Sequence, residues 1–424
     1  MAREFKDSGI EWIGRIPKEW KVKPHKHLMR KIKNICLKYN GEDIISLTMN
    51  GVVVRDLNAG GKMPTSFDGY QYVYPGNLLM CLFDIDVTPR CVGLIKNDGL
   101  TSPAYSQFTL FDGVFGPYYN YLLRYMDDEK CILHLSKNLR SSLTEDDFGQ
   151  ILTIYPPLNE QQRIADYLDK KCGEIDELIA LQEQMIAQLT DYKQSVITEA
   201  VTKGLNPDAE LVPSGIDWIE DVPKGWKIMP LKWILKKPLQ YGANESGNTF
   251  DESLPRYVRI TDILNNNLRE DLQKQSLTEE QANGYILEDN DILFARSGAT
   301  VGKAFIYKPK YGRCAFAGYL IRAQINNQND SNFVYYYTQS SAYEEWKKQI
   351  FIQATIQNIG ADRYSILDIP IPPLSEQQSI ATYLDTKCFE IDSLIAIKQQ
   401  KIETLKDYKK SVIYECVTGK TDIV

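Results

Sequence analysis

The chain has 424 residues, 43% hydrophobic and 25% charged, a balance that excludes disordered, collagen-like and low-complexity classes. Acidic residues outnumber basic ones 56 to 49, so the whole is no polybasic nucleic-acid binder and any such role must rest on local patches. The eight Cys form no C-x-x-C pair, the start of the chain is charged, and the longest apolar run (78–83) is far below the ~20 residues that span a bilayer; the expectation is a cytoplasmic protein with reduced thiols, no secretory signal and no membrane contact.

In chain order the first landmark is SGIEWIGRIPKEWK at 8–21. It overlaps a basic stretch, 15–38, with nine Lys/Arg against the single acid Glu19, plus His25 and His27. A variable region, roughly 22–155, follows. Its β-rich runs at 43–47, 77–83 and 92–95 are punctuated by Gly, Pro and Asn and read as mixed α/β of underivable topology. At 157–202 the pattern turns helical. Asn159-x-x-Gln162 after a Pro-Pro pair predicts a capping box, then a short helix over 159–169 and a longer one over 172–202. The longer helix carries Ile175, Leu178, Ile179, Ile186, Leu189, Tyr192, Val196 and Ala200 at helical spacing, on a rod of ~46 Å.

The chain then repeats itself. Residues 8–21 return at 214–227 with 9 of 14 positions identical, and 157–202 return at 373–418 with 30 of 46 identical and no gap. Ser375-x-x-Gln378 is the second capping pattern, and Ile391, Leu394, Ile395, Ile402, Leu405, Tyr408, Val412 and Cys416 form the second stripe. The second variable region, about 228–371, has β-rich runs at 257–260, 291–294 and 303–307 and looks little like the first. The fold class expected is α+β: two α/β domains, 1–156 and 205–372, separated by two helical segments, 157–204 and 373–424. Two amphipathic rods with one stripe suggest an antiparallel, coiled-coil-like pair, with Ile175, Ile179, Ile186, Leu189, Ile391, Ile395, Ile402 and Leu405 at the interface; alternatively each stripe faces its own domain's core. The order of segments predicts a circular repeat with pseudo-two-fold symmetry and neighbouring termini.

Positive charge sits in the variable halves and negative charge in the rods. Residues 224–237 hold five Lys and no acid, 295–313 hold five bases and no acid, whereas 159–203 hold nine acids and five bases. Lys21, Lys23, Lys26 and Arg30 in one half, and Lys227, Lys232, Arg296, Ser297, Thr300 and Lys303 in the other, are the candidates for nucleic-acid contact, aromatics being interleaved with them. Against this stands the plainer reading of any one charge run as a solvated face. The 296–303 stretch is no Walker A loop, because three residues separate its glycines and Ala304 follows the Lys. No catalytic constellation is evident. Asp385-Thr386-Lys387 reads as helix surface, His25-x-His27 lacks further metal ligands, and His134 has no partner in the sequence.

The duplicated P-L-x-E-Q-Q-x-I-A-x-Y-L-D, E-I-D-x-L-I and Y-K-x-S-V-I-x-E-x-V-T strongly resemble the conserved regions of specificity subunits of type I restriction-modification enzymes. S-G-I-x-W-I-x-x-x-P-x-x-W is similar to the lead-in of that family's target recognition domains, and 290–302 looks like a recurring motif within them; the first half lacks its Arg-Ser-Gly-Ala-Thr turn. The resemblance implies a non-catalytic subunit that reads an asymmetric bipartite target in double-stranded DNA, one part per variable domain. The rods then act as spacer, of a scale that suits major-groove faces ~34 Å apart. It implies two methyltransferase (modification) subunits and restriction/translocase subunits as partners. S-adenosylmethionine, ATP and Mg belong to those partners, and no cofactor to this chain. A stand-alone enzyme and a protein-binding scaffold are the competing readings.

Overall fold

A computed structural model describes residues 3–49, 51–58, 64–88, 90–131, 133, 141–264, 267–298, 300–352 and 358–423. His134 lies outside the described residues. The chain divides into two compact units, Met1–Gln182 with Gln400–Val424, and Glu183–Gln399.

Unit 1 is organised by a four-stranded antiparallel sheet of β1 (Met29–Ile32), β2 (Leu78–Met80), β3 (Val92–Leu94) and β4 (Ser106–Leu110), in spatial order β1-β4-β2-β3. All three residues of β2 are buried, so it reads as a continuous apolar run rather than an alternating one. Helix α1 (Gly116–Asp128) begins with Pro117, whose fixed φ suits a first turn. It buries Tyr118, Tyr119, Leu122, Leu123 and Met126, one face at helical spacing, in the same core as β2. The strands Lys21–Pro24 and Leu152–Tyr155 pair antiparallel and lead into the long helix α2 (Leu158–Lys203).

Unit 2 repeats this plan. Strands β5 (Gln240–Tyr241), β6 (Ile292–Ala295), β7 (Ala304–Ile306) and β8 (Leu320–Ala323) lie in the order β5-β8-β6-β7, again all antiparallel. Helices α3 (Ser331–Tyr337) and α4 (Ser341–Ile352) take the place of α1. Lys227–Pro230 pairs with Asp368–Ile371 before α5 (Leu374–Val417). The two variable regions, so dissimilar as sequences, therefore share one strand order. The differences are extra strands inserted in the chain before the second and before the fourth strand of each sheet. Unit 1 has a hairpin before the second (Ile45–Thr48 with Gly51–Val54), and unit 2 has Arg256–Val258 between Gln275–Ser276 and the parallel strand Cys314–Phe316.

Two helical expectations are corrected. Residues 158–203 form one unbroken helix of 46 residues, ~69 Å long, not a short helix followed by a longer one. Nothing in 169–172 breaks a helix, and the buried Leu168, Cys172 and Ile175 run on as one face through it. Nor do the capping boxes form. The helices start at Leu158 and Leu374, so Asn159 and Ser375 lie inside the first turn. The Pro157 carbonyl accepts from Glu160 and Gln161 N–H (2.9 and 3.0 Å), as the Pro373 carbonyl does from Glu376 and Gln377.

The expected closeness of the chain ends is borne out within unit 1. Arg3 lies 3.6 Å from Asp422, and the Lys420 ammonium donates to the Ile13 carbonyl at 2.9 Å.

His25 is fully buried, stacked on Phe148 at 4.4 Å, with Nδ1 3.3 Å from the Phe148 carbonyl. Burial outweighs that hydrogen bond and pushes its pKa down to about 4. It is thus a core residue and not half of a metal pair, while His27 is exposed. Between pH 6.5 and about 4 the unfolded chain binds a proton here that the folded chain does not. Stability of unit 1 is therefore lost as pH falls through that window, by at most about 1.4 kcal/mol per pH unit from this group. A His25→Gln variant is expected to show a shallower fall of melting temperature between pH 7 and 4.5; an unchanged slope would remove His25 as the cause.

Candidate nucleic-acid interface

The basic candidates fall into separate places. In unit 1, Lys21 and Lys23 lie on the strand beside Leu152–Tyr155, the Lys23 ammonium 3.8 Å from the Tyr155 ring centroid. Lys26 donates to Gln150 at 3.0 Å from the short turn that follows, and Arg30 is exposed on the edge strand β1, opposite Thr109. In unit 2, Lys227 is exposed on the strand beside Asp368–Ile371. Lys232 sits 5.5 Å from the ring of Trp233, which is 66% exposed and so offers a free aromatic face beside a cation.

Arg296, Ser297, Thr300 and Lys303 occupy the turn between β6 and β7. The turn closes through Ala295 N–H to the Lys303 carbonyl (2.9 Å) and Lys303 N–H to the Thr300 carbonyl (3.0 Å). Ser297 forms a bridge with Asn358. Among the described residues no hydrogen bond, ion pair or ring contact joins this turn to Lys227 or Lys232. In the rest of that basic block Lys308 donates to the neutral amides of Asn290 and Asn332 (the latter at 2.8 Å), and Arg313 pairs with Glu279.

The matching turn of unit 1 lies between β2 and β3. Cys81 N–H donates to the Cys91 carbonyl (2.8 Å), as Ala295 does to Lys303. The Leu82 carbonyl accepts from Leu143 N–H (2.8 Å), as that of Arg296 does from Ile359 (2.9 Å). Leu82, a buried apolar side chain, thus holds the place of Arg296. Arg90 in the same turn is buried and paired with Asp128 at 2.7 Å and Asp127 at 3.4 Å.

The helices pair within each unit. In unit 1 Lys409 on α5 bridges both oxygens of Asp176 on α2 (2.6 and 2.7 Å); in unit 2 Lys193 on α2 bridges both oxygens of Asp392 on α5 (2.8 and 2.7 Å). The two bonds are sequence equivalents, 216 residues apart, and fix the same antiparallel register. Ile175, Ile391 and Ile402 are buried, and Ile179, Ile186, Leu189, Ile395 and Leu405 are half-buried. Leu178, Tyr192, Leu394 and Tyr408 are exposed instead. Eight apolar positions spread wider than one partner helix covers, so part of each stripe is left outside. The outer set is itself repeated: Leu178 and Leu181 are 44% and 48% exposed, their equivalents Leu394 and Ile397 48% and 61%.

Sequence reasoning missed Tyr241, Asn358 and Arg363, which line one groove with Arg296. They come from distant segments with no shared periodicity, so no pattern in the chain links them. Among the described residues no three His, Cys, Asp or Glu side chains group as a metal site, and no helix is long and apolar enough to cross a membrane.

Ile175→Asp in unit 1 and Ile391→Asp in unit 2 are each expected to cost about 3 kcal/mol or more, by burying an unpaired carboxylate. Leu181→Asp and Ile397→Asp are expected to stay within about 0.5 kcal/mol. Denaturant unfolding of the four variants checks the inner and outer assignment.

A family-level comparison matches residues 223–407 to the type I restriction modification DNA specificity domain. The EcoKI specificity subunit of Escherichia coli K12 is 28% identical over 208 residues, 47% of this chain and 44% of that protein, so the match spans less than half of that relative. A putative MjaX specificity subunit of Methanocaldococcus jannaschii is 26% identical over 310 residues, 72% of this chain and 68% of its own. Among solved structures, a chain of a type I R-M system superposes with a TM-score of 0.73 at 15% identity, over 96% of this chain and 99% of that one. The HsdS subunit of Thermoanaerobacter tengcongensis follows at 0.51, also at 15% identity, over 96% and 98%. At this identity the likeness is one of fold.

Proposed function

We propose, for a chain whose residues 223–407 match the type I restriction modification DNA specificity domain, that it reads an asymmetric bipartite sequence in double-stranded DNA. It then directs adenine-N6 methylation, or cleavage, by partner subunits. One observation carries this reading: two sheets of identical strand order present chemically different turns at the same place, Leu82 in one and Arg296 in the other. A scaffold duplicated for symmetry alone has no need of that difference. Two readers of different sequences do, because base edges are told apart by the donors, acceptors and apolar groups that face them. The exposed Lys21, Arg30, Lys227 and Lys232 suit phosphate contacts, which position a protein on the duplex without reading it.

The partner reading rests on the repeated outer stripe. Leu178 with Leu181, and Leu394 with Ile397, are equivalent exposed apolar pairs on the two helices, one in each unit. Two equivalent surfaces suit two copies of one partner. We assign them to two methyltransferase (modification) subunits, with S-adenosylmethionine in those subunits and ATP and Mg in the restriction/translocase subunits. The boundaries 1–156, 157–204, 205–372 and 373–424 serve this reading as recognition domain, helical segment, recognition domain and helical segment.

The direct test is an N6-methyladenine map of the native host with and without this gene. One bipartite motif is expected to lose methylation on deletion. An unchanged map, together with no methyltransferase in the purified complex, would turn the reading to a scaffold. In the assembled complex, Lys227→Glu with Lys232→Glu is expected to weaken DNA binding across all sequences and to flatten its salt dependence. Unchanged affinity at moderate salt would take that patch out of the interface.

A further inference from the structure

Arg296 is held in an unusual way. Its guanidinium lies over the ring of Tyr241 on the edge strand β5, 5.0 Å from the centroid. The Tyr241 hydroxyl accepts from Ala361 N–H at 2.9 Å, which ties the ring to the start of the helix Ala361–Ser365. The Arg296 backbone is fixed on both sides, its N–H donating to the Tyr319 carbonyl (3.1 Å) and its carbonyl accepting from Ile359 N–H (2.9 Å). Yet among the described residues no carboxylate and no hydrogen bond engages the guanidinium, and its buried Nε has no partner. The position is built and the donors are uncommitted. Beside them an open groove is lined by Tyr241, Arg296, Asn358, Asp362 and Arg363.

The chemistry of that lining distinguishes two uses. Arg296 and Arg363 only donate, Asp362 only accepts, and Asn358 does both. A phosphate site calls for donors alone, and a carboxylate within it repels the ligand. Base edges in the major groove present donors and acceptors side by side. The lining fits the second.

We propose that this groove reads a base pair in the part of the target contacted by unit 2, with Arg296 donating two N–H bonds to O6 and N7 of a guanine. Tyr241 is a positioning residue, since its ring orients the guanidinium without reaching the base. The proposal rests on the DNA-reading function above and adds to it a residue, a base and a half-site. Unit 1 has no counterpart, because Leu82 stands at the equivalent place and is buried. The Arg296–guanine contact therefore belongs to one half alone.

The test uses the full chain co-expressed with its modification subunits, and reads the methylated motif by genome-wide mapping. The wild type comes first: if it yields no motif, the DNA-reading function itself fails. Exchange of residues 228–371 for those of a relative identifies the half that unit 2 reads. Arg296→Ala is then expected to relax one G·C position in that half by about 10-fold or more, leaving the other half unchanged. Tyr241→Leu is expected to relax the same position more weakly, and Tyr241→Phe, which keeps the ring, to preserve it. A motif retained in full by an assembled Arg296→Ala complex would overturn the proposal. So would an equal loss on all sequences with a flatter salt dependence, the behaviour of a phosphate contact. If Arg296→Ala does not assemble, Arg296→Lys decides. It keeps the charge but loses the two-pronged donor, so selectivity at that position is expected to fall, and unchanged selectivity refutes the guanine assignment.

Discussion

Each unit depends on a single buried amide at the start of its long helix. Gln161 Oε1 accepts from Phe115 N–H at 2.8 Å, while its Nε2 donates to the carbonyls of Gly113 (3.0 Å) and Pro156 (2.8 Å). Gln377 does the same work in unit 2, with Asp330 N–H, Asn329 and the Pro372 carbonyl as partners. Both side chains are fully buried, so each loose end would cost the desolvation of a polar group, about 1–3 kcal/mol. The amide joins the segment that opens the domain helix (α1 or α3) to the turn that opens the rod. The neighbouring glutamate adds a second joint: Glu160 accepts from the Trp20 indole at 2.8 Å, and Glu376 from that of Trp226 at 3.3 Å. This is why E-Q-Q in one repeat and the closing W of the other recur together. They are two halves of one contact, and the helix register relative to each sheet hangs on it.

The same joint closes the repeat on itself. In unit 2 the chain leaves α2 through Gly204, at φ +77°, whose nearest neighbours include Trp226 and Pro223. In unit 1 the chain leaves α5 through Gly419, at φ +71°, against Trp20 and Pro17. Left-handed glycine is the usual way to end a helix, and here it also lets the backbone approach an indole that a side chain would strike. One junction is continuous chain; the other is made by contacts between residues more than 400 apart, including the Tyr414 hydroxyl on the Trp12 carbonyl at 3.3 Å. The circular order of segments is thus realised at the second junction without a covalent link.

What could be read from the chain follows from what leaves a periodic trace. The repeats, the two helical segments and the inner Ile175, Ile391 and Ile402 were legible because helical spacing and identity survive in one dimension. The helix start was misplaced by one residue because Asn159 and Ser375 imitate caps, while the carbonyls of Pro157 and Pro373 do the capping. Leu178 and Leu394 were drawn into the stripe because spacing gives a face and not its width. The shared sheet order was hidden because strands of two to five residues carry little pattern, and because their insertions differ. Arg296 was found through its glycine turn; Tyr241 and Arg363, which complete its surroundings, meet it only through β5 and the segment before α5.

The hidden sheet order has a consequence for how one scaffold hosts two chemistries. Opposite Leu79 on β4 stands Gln107, and opposite Leu293 on β8 stands Arg322. The residues just before β2 and β6 are Asn77 and Asp291. In unit 1 the pair is a neutral one, Asn77 donating to Gln107 at 3.0 Å, with Gln107 also bound to the backbone of Tyr72 and Tyr74. In unit 2 it is ionic, with Arg322 3.5 Å from Asp291, which also accepts from Glu288 N–H (2.8 Å) and Gln324 (3.0 Å). Burial raises the Asp291 pKa, and these contacts only partly offset it. A buried ion pair seldom adds stability over a neutral pair, so the two solutions need differ little in free energy. What the fold requires at that place is a satisfied polar pair across the central strands, not a particular one. The same tolerance at the turn beyond β2 and β6 lets Leu82 and Arg296 stand on equivalent backbones. Specificity can then change by side chain while the strand order, fixed by backbone hydrogen bonds, stays the same.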